Sequence, residues 1–167
     1  MSKARTPATV LGLIYFCFLG FLLVSSDHLP DVVATHFDGN GRPNDWMSRS
    51  SHLKFTLLLA FAFPFVVAVI SLAAHFLPNT LINIPRREYW LAAERREETL
   101  AYLFRQSLWF ACIAVCFVMG VHYVILRANA QSPAHLSTPM LLGIVAAFLL
   151  ALGIWSFRLV RHFRKSA

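Results

Sequence analysis

Four long apolar stretches alternate along the chain with short segments that carry nearly all of its charge. They fall at about 9–26, 54–77, 106–127 and 139–160, and no Asp, Glu, Lys or Arg stands in the middle of any of them. A hydrocarbon layer about 30 Å thick takes about 20 apolar residues in a helix. Each stretch meets that length. None alternates apolar with polar as a membrane strand would, and an isolated strand would leave its amides unpaired in lipid. The pattern predicts an all-α, polytopic membrane protein. Residues 1–167 would form a single membrane domain of four transmembrane helices, with an extracytoplasmic cap loop over 27–53 and an inner loop over 78–105 holding a cytoplasmic interfacial helix.

Finer features sit on this frame. Pro64 lies near the centre of the second span, where it removes a backbone donor from the carbonyl of Ala60 and predicts a kink. Pro85 marks a helix start near Arg86, and Leu100, Leu103 and Phe104 form a stripe expected on the membrane surface before the chain turns into the third span. Cys112, Cys116 and Gly120, and likewise Gly143, Ala147 and Ala151, recur at four-residue spacing. Such small-residue stripes predict close helix packing, with each other or with a second subunit.

Composition agrees. Of 167 residues, 57% are hydrophobic and 14% charged, where soluble domains run at about 45–50% and about 25%. The net charge of +7 raises the question of a nucleic-acid partner, but its distribution answers differently. Eleven of the 15 Lys and Arg fall in the N-terminal, inner-loop and C-terminal segments with all four Glu, giving +7. The other four share the outer loops with all four Asp, giving zero. This asymmetry predicts cytoplasmic termini and contact with anionic headgroups of the lipid bilayer, with no nucleic acid. Cys17, Cys112 and Cys116 all lie within spans and read as packing residues. Residues 1–26 share features with a signal peptide, a basic start, an apolar core and Val24-Ser25-Ser26, yet we expect the first span to be retained.

The outer loop is the most distinctive segment. Val32 to Phe37 has extended character, Asp38-Gly39-Asn40-Gly41 is a turn signal, and Asp45, Ser48, Ser50 or Ser51 is placed to cap the second span. Trp46 suits the membrane interface. Leu29, Pro30, Thr35, His36, Phe37, Gly41, Asp45 and Trp46 together resemble a bacterial membrane domain of unknown function, which the SdpI-type immunity protein also carries. Residues 83–98, with Tyr89, Trp90, Glu94 and Arg95, look like a cytoplasmic loop of uncharacterised members. The resemblance implies a multi-pass protein of the bacterial inner membrane, and ligand-binding or motif roles for Pro30, His36, Phe37, Gly41, Asp45, Trp46, Tyr89, Trp90, Glu94 and Arg95.

Imidazole and carboxylate groups also make His36, Asp38, Asp45 and His122 candidate ligands for a divalent metal, although no compact metal motif joins them. A self-capping loop, its polar side chains satisfying backbone groups, is the plainer reading of the same residues. Three function classes follow. One is a noncatalytic protein binding or sensing a ligand or hydrophobic peptide at the outer face. The second is a membrane enzyme or metal-binding protein using His36, Asp45 and His122. The third is a subunit or assembly factor of a larger membrane complex, with a homo-oligomer or another membrane protein as partner. No nucleophile motif is recognisable, so the balance leans away from an enzyme.

Overall fold

The apolar stretches fold as helices, which satisfy their own amides. The computed structural model describes residues 2–164, with side chains from residue 4. The Lys3 side chain and Lys165, both counted among the inner cations, lie outside that range. The elements are α1 (Ser2–Ser26), β1 (Val32–Phe37), β2 (Pro43–Ser48), α2 (Arg49–Ala73), a 3-10 turn (Asn79–Leu81), α3 (Arg87–Trp90), α4 (Arg96–Asn129) and α5 (Thr138–Arg164). Helices α1, α2, α4 and α5 are each long and apolar enough to cross a membrane. This is a multi-pass membrane protein, mostly helical. The described part of the cap loop departs from pure helix, because β1 and β2 pair antiparallel.

Helix α4 is the centre of the bundle, and α1, α2 and α5 pack chiefly on it. The inward face of α2 is small or polar. On α2 the buried residues are His52, Thr56, Ala60 and Pro64, one per turn, while Phe61, Phe63, Phe65, Val66 and Ile70 point outward. Lipid gives no hydrophobic drive for helix association, so close approach of small side chains and hydrogen bonds hold the helices instead. Phe18, Leu22, Ala60 and Val115 form the main core where α1, α2 and α4 meet.

Pro64 lies inside α2, which continues past it to Ala73. The carbonyl of Ala60, which proline deprives of its helical donor, accepts a hydrogen bond from the Tyr15 hydroxyl of α1 at 2.8 Å. The proline is thus a docking point between helices.

The inner loop corrects the sequence reading. Arg86 adopts φ 51°, in the left-handed region, so the helix expected from there is only the single turn α3. The chain turns again before Arg96, and α4 then runs unbroken for 34 residues, about 51 Å at 1.5 Å per residue. Leu100 and Leu103, expected on the membrane surface, pack instead with Ala74, Ile82 and Leu91 as the inner loop folds over them. Helix α2 stops four residues short of the expected span end. Arg96 takes up the exposed carbonyls there, donating to Ala74, Leu77 and His75 and to the Asn79 side chain. A cation at a helix C-terminus satisfies both the carbonyls and the dipole.

Candidate functional site

The chain leaves α1 at Ser26, runs out through β1, turns, and returns through β2 into α2. Ser48 caps α2, its hydroxyl accepting from the Ser51 amide at 3.2 Å. The turn is closed by Asp38, whose carboxylate accepts from the amides of Asn40 and Arg42 at 2.9 and 2.8 Å. Gly41, at φ 78°, sends its carbonyl to the amide of Leu136 in the α4–α5 connection at 2.9 Å. A Cβ there would stand 2.5 Å from the Leu136 carbonyl oxygen. Glycine is required by both the dihedral and the close approach.

The underside of the hairpin is fixed from α4. Asn129 accepts from the Ala34 amide at 2.8 Å and donates to the Ala34 carbonyl at 2.9 Å, so its side-chain amide replaces a neighbouring strand. Leu29 and Val33 pack on Ile125, and Phe37 fills the space beside them and beside Leu136. The upper side is left open. Val32 and Trp46 are 62% and 50% exposed, and His36 faces Asp45 across the strands at 3.6 Å, both exposed. Pro30 is exposed, and its carbonyl and the Asp31 carboxylate receive Arg49, the latter at 2.6 Å.

Beneath the hairpin lies a buried polar chain. Ser25 Oγ is 2.8 Å from His122 Nε2, and His122 Nδ1 is 3.0 Å from His52 Nε2. The three residues come from α1, α4 and α2. With His52 donating to His122, His122 to Ser25, and Ser25 to the Leu22 carbonyl, each of these donors has an acceptor. The order serine, imidazole, imidazole is that of a nucleophile, a base and an orienting group. Ser25, His122 and His52 are 2%, 1% and 5% exposed, so the chain is a buried latch joining three helices.

The proposed metal ligands do not converge. His36 and Asp45 pair on the hairpin, Asp38 closes the turn, and His122 is buried in the latch. Among the described residues no group of three or more His, Cys, Asp or Glu is placed to hold an ion. An enzyme built on His36, Asp45 and His122 meets the same separation. Tyr89, Trp90, Glu94 and Arg95 lie at the opposite end of the bundle. There Arg95 stacks 4.1 Å over the Tyr89 ring, Trp90 donates to the Phe163 carbonyl at 3.1 Å, and Glu94 is exposed. Tyr89, Trp90 and Arg95 tie the inner loop together and to α5, and none of the four residues joins the hairpin.

Sequence reasoning passed over Ser25, His52 and Asn129 as partners. The stripe of His52, Thr56, Ala60 and Pro64 at four-residue spacing was the available signal, since it marks the inward face of α2.

Neither a curated protein nor a solved structure shows a match to this chain. Residues 13–67, about a third of the chain, match a sequence-family model described as a domain of unknown function, DUF1648. The matched segment takes in most of α1, the whole hairpin and α2 as far as Val67, and so includes Ser25 and His52 of the latch but leaves out His122 and Asn129.

Proposed function

We propose that this is a noncatalytic protein of the bacterial inner membrane, with both termini cytoplasmic, that binds or senses a hydrophobic peptide at its outer face, in the manner of an SdpI-type immunity protein. The observation that carries this reading is the two-sided character of the hairpin. A two-stranded hairpin is marginal on its own, yet this one is held by Asn129, by the Gly41–Leu136 bond and by the packing of Val33 and Phe37. That anchoring lies underneath, along the edge of β1 and at the turn, and it leaves Val32 and Trp46 exposed. The upper side offers Val32 and Trp46 beside the His36–Asp45 pair, an apolar and polar surface fixed in place before any partner arrives. Preorganisation of that kind lowers the cost of binding, and an exposed aromatic is a common anchor.

The test is expression in a peptide-sensitive bacterium, challenged with a panel of membrane-active peptides. The expected result is survival above the control for at least one peptide, with crosslinks to the hairpin. Trp46→Ala should lower that protection about tenfold at equal membrane levels, the loss of one aromatic anchor. No protection and no binding for every peptide would sink the proposal.

A further inference from the structure

Helices α1 and α5 both pack on α4 but hardly on each other, and a cavity of about 840 Å³ opens between them. Cys112, Cys116 and Gly120 of the α4 stripe and Ala147 and Ala151 of the α5 stripe stand in its wall, among large apolar side chains such as Val10, Ile113 and Phe148. The stripes were expected to bring the helices together. They do so at Gly120, where a Cβ would meet Ile144 at 2.9 Å; Phe117 also stacks on Phe148 at 4.3 Å and Trp155 donates to the Gln106 carbonyl at 3.1 Å, and the groove is the space left between these contacts and α1. Ile154, on its rim, is 47% exposed, so the groove is open on its side.

The floor of the groove has a different chemistry. Arg158, Tyr102 and Gln106 line it at the end of the bundle that carries the termini. Arg105 stands 5.0 Å from the Tyr102 ring, and His162 stacks on that ring at 3.7 Å. Glu98 lies one turn before Tyr102 on α4. Among the described residues the basic side chains in reach of a carboxylate, His36 with Asp45 and Arg49 with Asp31, are both at the hairpin end, and neither contact involves Arg105 or Arg158. The groove therefore combines a long apolar wall with an arginine foot.

We infer that this groove binds one anionic phospholipid of the leaflet at the terminal end of the bundle, its phosphate on Arg158 and its acyl chains along the Cys112–Ala151 wall. The dimensions agree. From Arg158 to Ala147 the helix rises about 16 Å, and one leaflet contributes about half of a 30 Å core. A second copy of this chain is the less suitable occupant. Inserted in the same orientation, it would bring its own arginines to the depth of Arg158, where like charges repel. A phosphate is attracted there, and a guanidinium binds it through paired N–H donors.

Native mass spectrometry of the detergent-purified full chain, titrated with phosphatidylglycerol or phosphatidylcholine, tests the inference. One phosphatidylglycerol should be retained per chain in preference to phosphatidylcholine. Arg158→Gln should cut that preference about fivefold, and Arg158→Lys should restore part of it. Ala151→Phe, which fills the groove, should abolish retention of both lipids with the thermal unfolding midpoint little changed. Equal retention of the two lipids by the unaltered chain would overturn the inference. So would a preference that survives Arg158→Gln, or a dimer that Ala151→Phe dissociates while lipid retention persists. Should Ala151→Phe lower the unfolding midpoint, Arg158→Gln, at an exposed position, still decides.

Discussion

Gly41 is held by two requirements that act on the same atom. Its φ of 78° is unfavourable for any side chain with a Cβ, and the Leu136 carbonyl occupies the place a Cβ would take. Gly41→Ala should therefore undock the hairpin tip from the α4–α5 connection, at about 2 kcal/mol or more. Hydrogen exchange in lipid nanodiscs reads this as faster exchange at the Gly41 and Leu136 amides. Gly39→Ala is the control, because a Cβ there meets open space and should leave exchange unchanged. The turn itself was legible from Asp38-Gly39-Asn40-Gly41, since short-range hydrogen bonds and backbone preference decide it. That the glycine touches Leu136, 95 positions away, was not legible, because nothing local to the turn encodes the second loop.

At the scale of elements, the α1–α2 contact turns on one carbonyl. Pro64 leaves the Ala60 oxygen without a helical donor, and Tyr15 supplies one from outside the helix. Tyr15→Phe should cost about 1 kcal/mol, the net worth of one such bond. In the background of Pro64→Ala, which returns an N–H to the helix, the same substitution should cost clearly less. A double-mutant cycle on thermal unfolding in detergent measures the coupling, and additive effects would show that the tyrosine and the proline act independently. The sequence predicted an irregularity at Pro64; the partner that makes it useful lies 49 positions upstream. The inward stripe of His52, Thr56, Ala60 and Pro64 was also readable, since small and polar residues at four-residue spacing mark the packed face of a membrane helix. The interfacial helix of the inner loop was misread for a local reason. Arg86 in a left-handed conformation interrupts it, and no residue type there announces that break.

Across the whole molecule, the two ends of the bundle differ in chemistry. The hairpin end carries the His36–Asp45 and Arg49–Asp31 contacts and a latch of two histidines and a serine, while the terminal end carries Arg105, Arg158, Arg161 and Arg164. Charge bias sets orientation during insertion, so the terminal end should face the cytoplasm. With single cysteines introduced into a chain cleared of its own, Asn40→Cys should react with an impermeant reagent in intact cells, and Arg95→Cys only after lysis. The opposite pattern would invert the topology and remove the outer-face reading with it.

The amino-acid sequence alone determined the four spans and the turn of the cap, because each rests on composition within a window of about 20 residues or on bonds between near neighbours. It also singled out His36 and Asp45 as candidates on either side of the turn; that they face each other across the strands came from the structure. Tertiary structure alone decided that His122 meets Ser25 and His52 instead of the hairpin pair, and that Asn129 completes the edge of β1. It alone opened the two small-residue stripes into a groove with Arg158 at its foot. The physical reason is common to all three. Periodicity tells which face of a helix is buried, but which partner that face meets depends on the rotation and tilt of every helix in the bundle.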